Sequence, residues 1–346
     1  MNAVAETRAH PAHPTHKFRL LLRREFWEHK GGFLWAPLVA GGIFLLLSLM
    51  GMGVGEMAAR RAVGEGKLVL DNGAGVEING LDFAALARHL DAKDIHQLGG
   101  ALDISLLMAA SWPFIVLAFV VFFYCLGALY DERRDRSVLF WKSLPLSDAQ
   151  TVWSKVASAT LMAPVIAVGA ALVTGLGFLL LLSLFVLFHG GNPVQLLWGP
   201  ASPFALAGRL LATIPVYALW ALPTVGWLLL CSAWARSKPF LWAVMIPVFA
   251  GIFVSWFDLM QLFDLGSAWF WKNIVARALL SIAPGSWASV MDLRHFDDND
   301  PGSALRLLDL GQTWSVLATP QLWIGAIAGV VMILAAIRLR RWRDEG

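Results

Sequence analysis

Few stretches of this chain carry residue types that could do chemistry, and each misses the pattern its chemistry needs. "HPAHPTH" spaces His10, His13 and His16 by three, a spacing that could gather imidazoles around a metal ion on a helix. Its prolines deny it that helix, so a disordered tail is the expectation. "DDNDPG" at 297–302 has the acids of a calcium loop, but the twelfth position, where a bidentate Glu belongs, is Leu308. A solvated acidic loop is the better reading. "GEGKL" lacks both the spacing and the Ser/Thr of a phosphate-binding loop, and no H-E-x-x-H motif occurs. No catalytic, cofactor-binding or metal-ligating residues are therefore expected.

The remaining concentration of charge is "YDERRDRSVLFWKSLPLSDAQTVWSK", Tyr130 to Lys155, set between two of the most hydrophobic stretches in the chain. What positions it follows from composition. The chain has 346 residues, 58% hydrophobic and 15% charged, with mean hydropathy +0.64. Soluble domains carry about 25% charged residues. The fold class is all-α integral membrane. Cys125 and Cys231 both lie in apolar runs and read as free buried thiols, not a disulfide framework.

A hydrocarbon core about 30 Å thick needs roughly 20 apolar helical residues. Six stretches lack Asp, Glu, Lys, Arg and His: 31–55, 104–130, 156–188, 210–235, 239–257 and 320–337. The third is longer than one crossing needs, and the last two are barely long enough. The start of the chain, 1–30, is polar and basic, and its first apolar run is too long for a cleavable signal. With the N-terminus inside, inner segments hold 17 of the 27 Lys and Arg, and the outer segments hold 15 of the 24 acids. The positive-inside rule then gives six helices with both ends in the cytoplasm.

"KFRLLLRREFWEHK" places Phe18, Leu21, Leu22 and Phe26 on one helical face and Arg19, Arg23, Arg24 and Lys30 mostly elsewhere. This reads as an amphipathic helix in the cytoplasmic interface, broken by Gly31 and Gly32 before the first span. The plainer reading is a basic flank that fixes topology. Outside, 56–103 reads as a hairpin over "KLVLDNGAGVEING" followed by a short helix over "LDFAALARHLDAKD", a small extracytoplasmic cap. The apolar, aromatic part of 258–319 is interrupted by Lys272, Arg277 and Pro284. It reads as a broken helical hairpin dipping into the outer interface, or as a re-entrant segment. The short tail 338–346 is cytoplasmic. The spans hold only weak polar groups, such as Ser111, Tyr124, Thr213, Tyr217, Thr224 and Ser232. Proton relays and ion-coupled pathways usually need intramembrane charge, so an ion-gradient transporter and an intramembrane hydrolase both lose ground.

Within the 131–155 loop, Phe140 and Trp141 stand in a short amphipathic piece, exposed unless a partner covers them. Pro145 stops that piece. Ser147 with Gln150 forms a capping box, so a new helix starts at Asp148 and feeds the third span. Helix, hard turn and helix make a lever between two spans. A topology-setting loop resting on headgroups would also suit these residues.

"ERRDRSVLFWKSLPLSDAQTVWSK" resembles the loop after the second span of ABC-2 type transporter permeases, through Glu132, Arg133, Pro145, Ser147 and Lys155. Ser137 fits that pattern only approximately. The amphipathic N-terminal helix, six spans, inward ends and broken hairpin before the sixth span also resemble that family. The 56–103 loop departs from its simplest members. The resemblance implies a permease half, homo- or heterodimeric, in a bacterial inner membrane. A separate cytoplasmic ABC ATPase subunit would bind the ATP and Mg. Glu132, Arg133, Arg134, Arg136, Phe140, Trp141 and Pro145 would be the coupling contacts, supported from the interfacial helix by Arg23, Arg24 and Trp27. The expected function is export of an amphipathic or lipid-like compound. The alternative is a non-transporting anchor that passes ATPase motion to a periplasmic partner. No binding of nucleic acid is expected.

Overall fold

The computed structural model describes residues 14–64, 92–136, 146–260, 266–291 and 309–342. The expected 67–80 hairpin, most of the 81–94 helix, the loop residues 137–145 and the acidic 297–302 segment lie outside them. Among the described residues there is no strand. Six helical segments are long and apolar enough to cross a membrane: Gly31–Arg61, Gln97–Arg134, Asp148–Phe188, Val194–Trp234, Pro239–Leu259 and Pro320–Trp342. The chain is a multi-pass membrane protein.

Helix α1 (Pro14–Glu28) is not cut off from α2 (Ala36–Gly64) by the glycines. His29 N and Phe33 N donate to Glu25 O and His29 O. Ala36 N then closes a π-helical turn, Gly31–Trp35, on Gly31 O. That wider turn takes up Pro37, whose ring would otherwise meet the carbonyl one turn back. Gly32 serves close packing instead of a break, since a Cβ there would sit 3.0 Å from Val120 Cγ1.

Helix α3 (Ala92–Gly127) begins well before the expected 104. Its acidic residue Asp103 is not in a loop. Its carboxylate accepts from Ser202 N (3.0 Å) and Ser202 Oγ (2.8 Å), tying α3 to the start of α7 (Pro203–Trp234). A short helix, α4 (Tyr130–Arg134), follows α3. Helix α5 (Asp148–Ala157) begins where the capping box places it. Gln150 N donates to Ser147 Oγ, and Gln150 Oε1 accepts from Ser147 N. A π turn, Ser158–Met162, accommodates Pro164 and leads into α6 (Ala163–Phe188). Cys125 and Cys231 are free and buried.

Helix α7 is the spine of the bundle: its span is 72% buried, against 17–33% for the others. Its closest neighbour is α12 (Pro320–Trp342). A methyl on Gly226 would strike the Gly329 carbonyl, and one on Gly329 would strike the backbone of Leu222. Small residues at such crossings let helices associate by contact where lipid removes the hydrophobic driving force. Among the described residues between α8 (Pro239–Leu259) and α12 lie three short α-helices, α9 (Ser267–Phe270), α10 (Ala276–Leu280) and α11 (Leu310–Ser315).

The segment 267–291 packs on the side of α7. Thr224 Oγ1 donates to Arg277 O (2.8 Å) and accepts from Ser281 N (3.0 Å). Tyr217 OH donates to Ile282 O (3.1 Å), and Trp220 Nε1 to Ser286 Oγ (3.0 Å). Irregular backbone packed against a buried helix must find such partners in protein. Thr224 lies eleven residues before Ala235, at the end of α7, so this attachment sits about 16 Å along the helix from that end.

Candidate functional site

The candidate site is a buried chain of charges where four helices meet. It begins on α1, whose predicted apolar face does turn inward. Leu21 is buried, while Arg23 and Trp27 are exposed. The centre of that face is an acid. Glu25 is fully buried. Its Oε1 accepts from Lys155 Nζ at 3.0 Å, and its Oε2 from Tyr124 OH at 2.7 Å. The ring of His29 packs edge-on to Tyr124, and its Nδ1 stands 3.9 Å from Glu25 Oε2.

Lys155, near the end of α5, also faces Glu132 Oε1 at 3.0 Å. Glu132 Oε2 accepts from Arg340 Nη1 at 2.6 Å, and Arg340 Nε donates to Asp148 Oδ1 at 3.1 Å. Arg24 Nη2 reaches Glu28 at 3.2 Å and Glu132 Oε1 at 3.8 Å. The sequence of charge is Glu25, Lys155, Glu132, Arg340, Asp148, with sign alternating at every step. Each carboxylate meets a cation within hydrogen-bond distance, the condition under which buried charge is tolerated. The chain crosses from α1 through α5 and α4 to α12, between residues up to 208 positions apart. It also brings the segment nearest the N-terminus and the last helix to one end of the bundle.

A second fastening holds the same short helix. Arg133 Nη2 donates to Ser232 O (2.6 Å) and Ala235 O (2.9 Å), the free carbonyls at the end of α7. Ser232 Oγ accepts from Leu129 N (3.0 Å) and Tyr130 N (2.9 Å). A guanidinium at a helix C-terminus meets both unpaired carbonyls and the negative end of the dipole. Helix α4 is thus locked to α7 on one side and to α1, α5 and α12 on the other.

The residues singled out in the sequence divide accordingly. Glu132 points inward and is 7% exposed, so its carboxylate is not a surface contact. Arg133 is bonded to α7. Arg134 and Arg136 are exposed, and Arg136 ends the helix in a left-handed conformation (φ 56°). Arg24 joins the charge chain. Phe140, Trp141 and Pro145 lie outside the described residues. Sequence reasoning gave no role to Glu25, Tyr124 or Arg340, and saw Lys155 only as part of a family pattern. The available signal was Glu25 itself, an acid four residues after Leu21 on the face that should have been wholly apolar.

Among the described residues no group of His, Cys, Asp and Glu could hold a metal ion. The arrangement joins α4 and α5, the helices on either side of residues 137–145, to α1, α7 and α12. No protein-family model, curated protein or solved structure matches the chain.

Proposed function

We propose that the chain is the membrane-spanning permease subunit of an ABC-2 type ATP-driven transporter, exporting an amphipathic or lipid-like compound across a bacterial inner membrane. The observation that carries this reading is the Glu25–Lys155–Glu132–Arg340–Asp148 chain. It joins both flanks of the 137–145 segment to the first and last helices at one end of the bundle. A loop that merely fixed topology would need no buried anchorage. The excess of Lys and Arg puts this end in the cytoplasm, where a separate ATPase subunit would grip the segment through Phe140 and Trp141. ATP and Mg would sit on that subunit, and a second permease subunit would complete the transporter.

The test is co-purification. The native detergent-solubilised chain is expected to bring down a nucleotide-binding ATPase from its native membrane. The Phe140→Ala/Trp141→Ala variant is expected to lose it while keeping the native melting temperature. A folded native chain that recovers no ATPase would overturn the reading.

A further inference from the structure

A chamber of about 780 Å³ opens between α3, α6, α7, α8 and the turn after α10. Its size falls within the roughly 300–1,000 Å³ of small-molecule sites. No Lys, Arg, His, Asp or Glu lines it. Three lining residues carry hydroxyls, and each already donates to a backbone carbonyl: Ser111 to Met108 O, Thr213 to Leu210 O and Tyr217 to Ile282 O. None of these three hydroxyls is left as a donor for a ligand, and the remaining side-chain donor of the lining is the indole N–H of Trp287. A polar or charged group placed here would lose its hydration and gain little in return. The occupant that fits is hydrocarbon.

The position of the mouth says where that hydrocarbon comes from. Ile115, Phe119 and Phe123 on α3, Phe240 on α8 and Leu280 on α10 belong to the lining and are exposed on the outer surface of the bundle. In a multi-pass protein that surface meets lipid. The chamber therefore opens sideways to acyl chains. The opposite wall is closed by α7, at Ile214 and Tyr217, and by Trp287 of the turn, all buried.

We propose that this chamber binds the hydrocarbon tail of a membrane amphiphile, admitted laterally between α3 and α8, with the polar head left outside. As a cargo site it rests on the permease reading. As a tail-binding site it does not, and its test needs no ATPase. The purified full-length chain in nanodiscs would be exposed to a photoactivatable palmitic acid, and the labelled peptides mapped by mass spectrometry. The expected result is labelling concentrated on lining positions of α3, α8 and residues 279–288, competed away by unlabelled palmitate. Ala118→Trp, which fills the chamber, should cut that labelling at least fivefold while leaving the melting temperature near native. Ala288→Trp fills it from the other wall and serves if the first variant misfolds. Label spread evenly over all six spans, not competed by palmitate or unaffected by filling, would overturn the proposal. So would a chamber closed to the probe because a second copy of the chain covers α3 and α8. Failure here leaves the ATPase co-purification standing, and failure there leaves this binding intact.

Discussion

Two fastenings of the bundle are held in opposite ways. At the α4–α5 junction every cation of the buried chain faces a carboxylate, and three acids and three bases from four helices neutralise one another. At the 267–291 segment the partly buried cation, Arg277, stands without a carboxylate among the described residues. It stacks on the ring of Trp220 at 3.6 Å, reaches Gln321 O at 3.3 Å and leaves Nη1 without a partner among the described residues. Hydroxyl and indole hydrogen bonds from α7 do the rest. The first region is a charged joint with high stakes for each member. The second is a dry graft of backbone onto a helix, in which each polar group counts for less.

Breaking the joint should have the largest effect. Glu132→Ala leaves Lys155 and Arg340 facing each other with no acid between them. Removing one partner of a buried pair costs about 3–5 kcal/mol, so the variant should melt far below native or fail to accumulate. Glu25→Gln with Lys155→Met removes one acid and one base together. It should recover more than half of the loss seen with Lys155→Met alone, read by thermal melts in detergent. A loss in the double variant equal to the sum of the two single losses would mean that the two groups do not act as a pair.

The helix crossing comes next. Gly329→Ala puts a methyl into the backbone of α7 at Leu222. Overpacking of this kind costs about 1–3 kcal/mol, seen as a lowered melting temperature. For the graft, Arg277→Gln removes the ring contact, and cation–π pairs contribute about 0.5–2 kcal/mol. Arg277→Lys keeps the charge and should restore only part of that. Arg134→Ala lies outside both networks and should change stability by no more than about 0.5 kcal/mol. On the functional reading, any effect it has should be on partner binding alone.

The same contrast explains what could be read from the sequence. The six spans follow from charge-free runs, which need no knowledge of packing. The start of α5 follows from Ser147 and Gln150, three residues apart and bonded locally. The weak polar groups of the spans were visible, but their uses were not. Thr224 and Tyr217 hold the 267–291 backbone, and Ser232 holds the start of α4. Glu25, Lys155 and Arg340 were equally illegible, because their partners are 130 and 208 positions away and no local window contains both members. Asp103 misled in a simpler way. An acid usually marks a loop next to a span, yet here it bonds Ser202 from within a helix. Gly31 and Gly32 read as a break, although close approach to α3, as at Gly32, is the other reason a helix carries glycine.

The central claim is that the charged joint transmits motion from the α4–α5 segment to the spans. The most direct measurement is the distance between spin labels at Phe188→Cys and Leu259→Cys, two exposed ends of the third and fifth spans far from the joint. It would be recorded in the complex with the co-purified ATPase, with and without ATP. The native thiols Cys125 and Cys231 are buried and should stay unlabelled. In the otherwise native protein, ATP should shift the distance distribution. In the Glu25→Gln/Lys155→Met background, the ATPase should still bind and the shift should be lost. An identical ATP-driven shift in both proteins would contradict the account.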